Sequence, residues 1–396
     1  MTDSVVSPLP IDRTHPLQVP DGTDAIAAEG ARKVVFPNGV ETWLFTRYAD
    51  VRMLLSDRRF TAYKNGDAPE MRTEESIIGA EQPGNMIIRD GAEHLRLRRP
   101  VSRALVVKRI DRMRPRIQEI VDTHLDAIER AGAPADLVPM LCLPVPSLVI
   151  AELLGVPHEH QALFQRTAQA MLGLRSTLAE YEEAAAELGG VLEKVVDRKR
   201  AEGVTGDLLG LLVNGDYDFD LEELLFLAIG LLVAGHETTS NFMGLFVLTL
   251  FDHPEQLDLL RADLSRVDSV VEELMRHTVS IGGGGLVRRA TEDVRVGDVL
   301  VRGGEWVAAS LYANSDPALC PHADRLDLSR ESTPHVAFGF GPHQCVGQNL
   351  ARAELQIMLR SLFTRFPGLR LAEPLADLPF RTDMLTYGPA SVPVVW

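Results

Sequence analysis

One cysteine stands in a glycine-punctuated loop just ahead of a helix-like run. The segment, residues 338–347, reads FGFGPHQCVG and carries Cys345 near its end. Only a thiolate binds a metal well, and backbone N–H groups at the start of a helix stabilise negative sulfur. Gly341 and Gly347 remove side chains where the backbone must turn tightly or approach a flat cofactor, and Pro342 stiffens the turn. The alternative is a structural core cysteine, but the phenylalanine, glycines and cysteine together favour a rigid cradle in which Cys345 ligates iron.

A polar segment, the second pattern of interest, interrupts a long apolar run. Residues 224–233 and 242–251 are almost entirely apolar, whereas residues 234–241 read AGHETTSN. Polar residues in a buried helix need partners, so this segment either meets solvent, bonds back to the preceding turn, or serves chemistry. Ala234 and the glycine after it clear space, while Glu237 and Thr238 offer an acid and an alcohol that can relay protons.

A third pattern is Glu-x-x-Arg, formed by Glu273 and Arg276 on a predicted helix over 267–277. Residues three apart share a helix face and can pair. Alone, such a pair is more often an ordinary surface pair. Beside the other two patterns it indicates a structural pair.

The chain has the length and composition of one large folded unit. It has 396 residues, of which 45% are hydrophobic, and we find no repeat or low-complexity linker that would divide it. Residues 1–20 are polar and proline-spaced without an apolar signal-peptide core. We therefore expect a flexible N-terminal arm over 1–20 and a single domain over 21–396.

Cysteine usage and hydropathy indicate the compartment. The three cysteines, Cys142, Cys320 and Cys345, are few and far apart, which argues against a disulfide framework. The longest apolar run, residues 224–235, is too short to span a bilayer. We expect a soluble, cytoplasmic protein that does not bind membranes.

The charge pattern excludes nucleic acid as a partner but marks one basic strip. The net charge is −16, whereas phosphate binding calls for clustered positive charge. Between residues 94 and 116, nine basic residues accompany one acid, Asp111. This strip is either a solvated helix face or a docking surface for an acidic partner. Its members are Arg96, Arg98, Arg99, Arg103, Lys108, Arg109, Arg112, Arg114 and Arg116.

The elements that must position these residues are mainly helical. Asn38-Gly39 between apolar runs predicts a hairpin over 33–46, and short strand-like pieces recur at 294–301 and 307–311. Apolar spacing predicts helices over 48–55, 94–105, 110–131, 145–154, 158–172 and 178–202. A capping box at 220–223 opens a helix of about 30 residues, roughly 46 Å long. The prediction is a mainly α fold with small β-sheets.

On these residues the chain resembles the cytochrome P450 family. Residues 338–347 match that family's Phe-x-x-Gly-x-x-x-Cys-x-Gly signature, and Gln348–Arg352 resembles the same stretch of bacterial soluble members. The family's Ala-Gly-x-Asp/Glu-Thr pattern matches residues 234–238. The resemblance runs from about Trp43 to Trp396 and implies a single-domain P450 fold, with haem between the long central helix and the cysteine loop.

The resemblance also implies roles for individual residues. Cys345 is the axial iron ligand of heme b (iron-protoporphyrin IX), Glu237 and Thr238 organise proton delivery, and Glu273 and Arg276 meet a second arginine, Arg325, in a structural role. Further cofactor contacts are expected from Ala234, Phe338 and Gly347. Four more residues, expected to contact the haem propionates, are His94, Arg98, Arg288 and His343.

The implied activity is that of a haem-thiolate monooxygenase. It would insert one oxygen atom from O2 into a bulky, mostly apolar small molecule, and hydroxylation of a macrolide or polyketide is the favoured reaction, with alkene epoxidation as an alternative. A ferredoxin-type acidic protein with its reductase would supply electrons to the monomeric enzyme. The glycine run 282–285 is expected to border the substrate. A non-catalytic haem sensor and a peroxide-driven enzyme of the same fold are the rival hypotheses.

Overall fold

The computed structural model describes residues 6–63, 66–72, 83–203, 206–280, 285–330 and 333–396. It is mainly helical with small sheets, as predicted. The helices are α1 (Thr23–Glu29), α2 (Tyr48–Ser56), α3 (Gly91–Ala104), α4 (Val107–Ala131), α5 (Pro144–Leu154), α6 (Gln161–Leu172), α7 (Leu178–Glu202), α8 (Leu208–Asn214), α9 (Leu221–Asp252), α10 (Pro254–Ala262), α11 (Val267–His277) and α12 (Gln348–Arg365).

The strands form three small sheets. They are β1 (Ser7–Pro8), β2 (Ala31–Val35), β3 (Glu41–Phe45), β4 (Phe60–Thr61), β5 (Ala135–Asp136), β6 (Leu286–Ala290), β7 (Val294–Val296), β8 (Val299–Val301), β9 (Trp306–Ala309), β10 (Arg370–Leu371) and β11 (Pro393–Val395). The sheet orders are β1-β2-β3-β9-β6-β4, β10-β11-β5 and β7-β8.

The chain divides into two compact units, the first of which carries the largest sheet. This unit comprises the described residues within Met1–Ala80, Ile87–Asp90 and Ser269–Cys345. The predicted hairpin forms β2 and β3, whose turn contains Gly39 at φ 85°. One face of the sheet packs with α2 around Phe45, Val51 and Leu54, which are all buried. The cysteine loop therefore belongs to a unit with its own apolar core.

The prediction of a flexible arm over residues 1–20 is wrong for its described part. Ser7 and Pro8 pair in parallel with Val34 and Val35. The Leu9 side chain is buried in an apolar cluster of the same unit. Backbone pairing and the burial of one apolar side chain therefore hold this segment against the sheet, although the segment is polar on average.

The second unit is helical and is organised around α9. It comprises the described residues of Glu81–Met86, Gly91–Asp268 and Val346–Trp396. The predicted capping box is present: the Asp220 side chain accepts from the Glu223 N–H, and the Glu223 side chain accepts from the Asp220 N–H. The 32 residues of α9 span about 48 Å at the usual rise. Helices α5, α6, α7 and α12 pack against it.

Several elements differ from expectation. Helices α1, α8 and α10 were not predicted, because seven to nine residues give too few repeats for the apolar spacing to show. The piece predicted over 294–301 is a two-stranded hairpin of β7 and β8. Residues 282–284 of the glycine run lie outside the described residues. Among the helices that are described, none has the length and apolar character needed to cross a membrane, and the single domain over 21–396 stays a prediction.

Candidate active site

Cys345 ends a tight loop that its own backbone hydrogen bonds close. The Cys345 N–H donates to the Phe338 carbonyl oxygen at 2.8 Å, and the Gln344 N–H donates to the Gly341 carbonyl oxygen at 3.1 Å. Gly341 has φ 72°, and a Cβ there would lie 2.3 Å from the carbonyl oxygen of Leu55. Only glycine therefore lets the loop approach the end of α2. The loop presents Cys345 as an exposed cysteine that forms no disulfide, in the rigid cradle that the sequence predicted.

Two aromatic contacts hold the first half of this loop. The Phe338 ring lies 6.1 Å from the His335 ring in a tilted arrangement. The Arg52 guanidinium of α2 lies 4.2 Å from the centre of the Phe340 ring, within cation–π range. The loop is thus anchored to its own unit by side chains as well as by backbone.

A buried arginine, Arg276, braces the chain ahead of the loop. Its Nε and Nη2 donate to the two carboxylate oxygens of Glu273, each at 2.8 Å. Its Nη1 donates to the carbonyl oxygens of Asn314 at 2.8 Å and Ala323 at 2.5 Å, and Nη2 donates to that of Arg325 at 2.8 Å. An arginine has five N–H donors, and here each has an acceptor.

This cluster connects to the cysteine loop through Asn314. The Asn314 Oδ1 accepts from the Val336 N–H at 2.7 Å, and the Val336 carbonyl oxygen accepts from the Gly339 N–H at 2.8 Å. The Glu273 carboxylate also accepts from the Asp327 N–H at 3.0 Å. The predicted structural role of Glu273 and Arg276 therefore has a continuous physical basis.

The third member of the cluster was predicted wrongly. Arg325 contributes only its carbonyl oxygen, and its side chain is 73% exposed. Arg330, whose side chain is 12% exposed, places its Nε 3.3 Å from a Glu273 carboxylate oxygen. Both arginines lie in one irregular segment, and nothing in their spacing shows which turns inward.

His343 and Asp90 form an ion pair in the first unit. The His343 Nε2 lies 2.9 Å from the Asp90 Oδ1. Burial works to raise the pKa of Asp90, but hydrogen bonds from His343, Thr61 and the Ala62 N–H outweigh it and hold that pKa well below its usual range. The carboxylate is therefore ionised and fixes the orientation of the His343 ring.

Arg288 is a buried cation without a carboxylate partner in the described residues. The residue is 8% exposed, and its Nη1 donates to the Val287 carbonyl oxygen at 2.8 Å. Burial lowers the pKa of Arg288, and the charge of Asp90 opposes this. Because a buried charge needs compensation, this guanidinium is suited to receive an anionic group.

One stripe of α9 is open, although the helix is otherwise buried. From Leu227 to Leu250, the residues that are not fully buried are Gly230, Ala234, Gly235 and Thr238. Positions four and eight apart lie on one helix face. A Cβ at Gly230 would meet no atom within 4 Å. The predicted residues Ala234 and Thr238 therefore face space rather than packed side chains.

Glu237 and Thr238 make different contacts. The Thr238 hydroxyl donates to the Ala234 carbonyl oxygen at 2.7 Å, as expected for a hydroxyl that bonds back to the preceding turn. Glu237 is 2% exposed, and its two oxygens accept from Arg381 Nη1 at 2.9 Å and Nη2 at 3.0 Å. Arg381 Nη2 also donates to the Asn241 Oδ1. Consecutive residues project about 100° apart on a helix, so the structure does not bring the acid and the alcohol together.

The remaining predicted site residues lie on two helices of the second unit. His94 and Arg98 are one turn apart on α3, with His94 buried and Arg98 half-buried. Gly347 is the N-cap of α12, and no side chain caps that helix start. Their roles toward a cofactor stay predictions.

Cys142 contrasts with Cys345. Cys142, Cys320 and Cys345 form no disulfide, but Cys142 is fully buried and burial raises its pKa far above the usual range. Such a thiol stays protonated and cannot serve as a thiolate ligand. The exposed Cys345 remains the candidate ligand.

Comparisons with known proteins agree with this geometry. Residues 158–371 match the family profile described as Cytochrome P450. The chain belongs to the cytochrome P450 family. One P450 relative is the nocardicin C N-oxygenase of Nocardia uniformis subsp. tsuyamanensis, which is 44% identical, with 93% of each chain covered.

Two further P450 relatives carry names that concern large natural products. The mycinamicin IV hydroxylase/epoxidase of Micromonospora griseorubida is 40% identical, with 93% of each chain covered. The crystal structure of CYP105P1 in complex with filipin I superposes with a TM-score of 0.92 at 41% identity and covers 99% of each chain. The chain is therefore a P450 oxidoreductase similar to bacterial secondary-metabolite enzymes.

The residues present fit haem, the P450 cofactor. The loop offers one accessible thiol, and haem iron in P450s is held by one cysteine thiolate. Arg288 offers a buried cation that Asp90 influences at a distance but that forms no ion pair among the described residues, as binding of a propionate would require. The open stripe of α9 leaves room beside Ala234 and Thr238.

Sequence reasoning missed three residues that the structure joins to the predicted site. Arg330 pairs with Glu273, Arg381 pairs with Glu237, and Asp90 pairs with His343. Each partner is remote in sequence, and no motif spacing links a remote pair. A buried glutamate at position 237 does predict a cationic partner in general, which was the one available signal.

Proposed function

We propose that this P450 hydroxylates a macrolide or polyketide-type secondary metabolite, using O2 and electrons from a ferredoxin. The observation that carries the substrate class is the close similarity over nearly the whole chain to CYP105P1, whose structure contains filipin I. The similarity to the mycinamicin IV hydroxylase/epoxidase supports the same class and keeps alkene epoxidation as the second candidate. The three free cysteines are compatible with a monomeric enzyme of a reducing cytoplasm.

In this proposal each predicted cofactor residue has one task. Cys345 would ligate the iron, Phe338 lies in its loop, and Arg288 and His343 would hold propionates. His94 and Arg98 would add propionate contacts, and Ala234 and Gly347 would leave room for the ring. When bound, haem supplies the binding and activation of O2, which the thiolate favours by donating electron density.

The protein's own contribution to the reaction is to hold and move protons. Thr238 is the alcohol on the open stripe, and its hydroxyl donates a hydrogen bond to the Ala234 carbonyl oxygen, so that its oxygen can accept a hydrogen bond from a group that carries a proton. Glu237 is the acid one residue earlier. Positioned acid–base groups of this kind typically contribute about 100-fold or more to a rate.

A ligand panel tests the substrate class. The holoenzyme is titrated with filipin I, mycinamicin IV and vitamin D3 while the visible haem band is followed, and binders are incubated with a surrogate ferredoxin and reductase. A spin-state change and a product one oxygen heavier with the macrolides are the expected results. Binding by vitamin D3 alone, or by none, would contradict the macrolide class without affecting the family assignment.

Thr238→Ala tests the proton-delivery role. The hydroxyl is lost while the cysteine loop is untouched, so we expect unchanged haem content and an unchanged carbon monoxide adduct. Product per NAD(P)H should fall roughly 100-fold as reducing equivalents pass to peroxide, and Thr238→Ser should restore much of it. Normal coupling in the alanine variant would contradict the role. Turnover by the parent with peroxide alone, and no response to the reductase, would favour the peroxide-driven alternative.

The basic strip is only partly available for a redox partner. Arg96 pairs with Glu223, Arg114 with Asp111, and Arg116 with Glu119 and Glu152. Within the described part of the chain, three exposed members have neither an ion pair nor a side-chain hydrogen bond, namely Arg99, Lys108 and Arg112, whereas the exposed Arg103 donates to the Tyr217 hydroxyl. These three residues, together with Val106 and Val107, are called the docking patch below.

The docking patch combines charge with exposed apolar surface beside α12. Val106 and Val107 are 46% and 59% exposed. The Asn349 side chain of α12 donates to the Leu105 carbonyl oxygen at 3.0 Å, so the patch lies against the start of the helix that follows Cys345 in sequence. An acidic ferredoxin docked there would meet complementary charge.

Charge reversal tests the docking patch. Because Lys108 and Arg112 are four apart on α4 and carry no ion pair in the described structure, Lys108→Glu with Arg112→Glu should raise the KM for ferredoxin about tenfold at low salt, with little change in kcat. Lys194→Glu with Arg198→Glu, the same double charge reversal at exposed positions four apart on α7, is the control. A salt-independent effect, or an equal effect in the control, would exclude the patch.

A further inference from the structure

We infer that Arg381 is a positioning residue that holds the Glu237 carboxylate for proton delivery. This inference rests on the proposed role of Glu237. The pair is a two-point fork, with Arg381 Nη1 and Nη2 each donating to one carboxylate oxygen at 2.9 and 3.0 Å. Forked arginine–carboxylate pairs fix both the distance and the plane of the carboxylate. Glu237 therefore has one defined orientation, set by a residue outside its own helix.

The surroundings of Glu237 leave Arg381 as the main cation that sets its position. Asn241, one turn later on α9, shares Arg381 through its Oδ1. His236 is buried, which holds its pKa below the usual range despite the opposing charge of Glu237, so its ring is neutral near pH 7. Cys142 interacts electrostatically with both Arg381 and Asp136, but neither Cys142 nor Asp136 brings positive charge.

Arg381 sits on a narrow backbone hairpin that is braced against α9. The Arg381 N–H donates to the Gly388 carbonyl oxygen at 2.9 Å, and the Ala390 N–H donates to that of Pro379 at 2.8 Å. A Cβ at Gly388 would lie 2.2 Å from the Asn241 Oδ1. This close backbone approach delivers the guanidinium to Glu237 from a fixed direction.

The same hairpin is bonded to the connection between α6 and α7. The Leu174 N–H donates to the Asp383 carbonyl oxygen and the Leu385 N–H donates to that of Leu172, both at 2.8 Å. Gly173 and Met384 form an isolated bridge between these bonds. Any displacement of the α6–α7 connection therefore pulls on the hairpin that carries Arg381.

The cluster also has unused hydrogen-bonding capacity. Arg381 Nε and Asn241 Nδ2 are buried and have no hydrogen-bond partner among the described residues. A buried donor without an acceptor is costly. Because these two atoms make no hydrogen bond, the Arg381–Glu237 fork can rearrange without breaking one of theirs. This property suits a carboxylate that is held in place yet must exchange a proton.

The test is a double-mutant cycle with Arg381→Gln, Glu237→Gln and their combination. Arg381→Lys serves as the conservative variant, and Arg370→Gln, an exposed arginine of β10, as the matched control. The readouts are denaturant unfolding of each holoenzyme, the carbon monoxide adduct, the share of NAD(P)H electrons that reaches product, and the solvent deuterium isotope effect on NAD(P)H consumption. The probe is the panel compound that gives the largest spin-state change, and NAD(P)H consumption is also followed without it.

A positioning role predicts a specific pattern. Arg381→Gln lowers the product share about tenfold and raises the solvent isotope effect with the carbon monoxide adduct unchanged, and Arg381→Lys recovers at least half of the share. In the Glu237→Gln background the Arg381 change adds less than twofold, because the two side chains act as one unit.

Other patterns overturn the inference. If Arg381→Gln alters unfolding but neither the product share nor the isotope effect, or if the two changes multiply, the pair is structural only. If Glu237→Gln lowers the product share but Arg381→Gln does not, the positioning role of Arg381 is contradicted and the role of Glu237 stands. Normal coupling in Glu237→Gln sinks the proposed role of the acid itself.

Discussion

Two forked glutamate–arginine pairs with a buried carboxylate, Glu273–Arg276 and Glu237–Arg381, each join two arginine nitrogens to two carboxylate oxygens but have different surroundings. In the first unit, Arg276 uses all five donors, three of them on backbone carbonyl oxygens, and its side chain is 0% exposed. In the second unit, Arg381 is 20% exposed, binds only side-chain oxygens through its terminal nitrogens, and leaves Nε without a partner in the described structure. We call the Arg276 pair saturated, because each arginine donor has an acceptor, and the Arg381 pair unsaturated, because its Nε has none in the described structure.

This difference separates a structural pair from a pair that can take part in chemistry. A saturated buried network rigidifies its surroundings, since no member can move without losing bonds. The Arg276 network accordingly ends in backbone atoms ahead of the cysteine loop. The Arg381 pair ends in the side chains of α9, beside residues that face open space, and its acceptors can change without disturbing the fold.

The largest expected effect is on the saturated pair. Arg276→Met leaves the Glu273 carboxylate buried without its main partner, which should lower the free energy of unfolding by about 3–5 kcal/mol and reduce the yield of haem-containing protein. Denaturant unfolding and the haem-to-protein absorbance ratio measure this. Arg325→Met, at a side chain that is 73% exposed, should differ from the parent by less than about 0.5 kcal/mol. Similar losses in both variants would contradict the assignment of the cluster.

An intermediate effect is expected for the unsaturated pair. Arg381→Met also strands a buried carboxylate, but solvent reaches this arginine and fewer bonds are lost, so the destabilisation should be about 2 kcal/mol. The same unfolding experiment gives the value. If Arg381→Met costs as much stability as Arg276→Met, the contrast between the two pairs disappears.

The smallest effect, with the opposite sign, is expected where a buried glutamate has no arginine. Glu354 of α12 is 2% exposed, its Oε2 has no partner in the described structure, and burial raises its pKa well above the usual range. A raised folded-state pKa contributes stability that is complete below the unfolded-state pKa and is lost as pH rises through the folded-state pKa. Glu354→Gln cannot ionise and should therefore gain on the order of 1 kcal/mol over the parent between pH 4.5 and pH 8.

Urea unfolding at pH 4.5, 6 and 8 checks the Glu354 prediction. The difference between variant and parent must grow with pH. If the free energies of unfolding of variant and parent changed in parallel with pH, the charge of Glu354 would be compensated in the folded state. Glu354 would then no longer serve as the unpaired case beside Glu273 and Glu237.

The sequence predicted what local chemistry determines. The capping box fixed the start of α9, the Asn-Gly turn fixed the β2–β3 hairpin, and the glycines of the cysteine loop have the backbone geometry expected of them. Pairings between remote residues could not be predicted, because they depend on which surfaces meet. Arg330 in place of Arg325, and Arg381 as the partner of Glu237, are both of this kind.

The docked N-terminus shows a different limit. Residues 7–9 carry no strong strand pattern, and they are ordered because the exposed edge of β2 offers backbone partners. The average polarity of a segment therefore does not predict whether the segment is ordered, because a neighbouring strand edge can bind it through backbone hydrogen bonds.

The mixed sheet of the first unit also constrains how the chain is made. The parallel contact of β3 with β9 joins Thr42 to Trp306, so the early hairpin emerges from the ribosome long before its neighbour exists. Such non-local pairing is slow and leaves strand edges uncovered while synthesis continues. Lower growth temperature weakens hydrophobic association between such uncovered edges and should therefore raise the soluble yield.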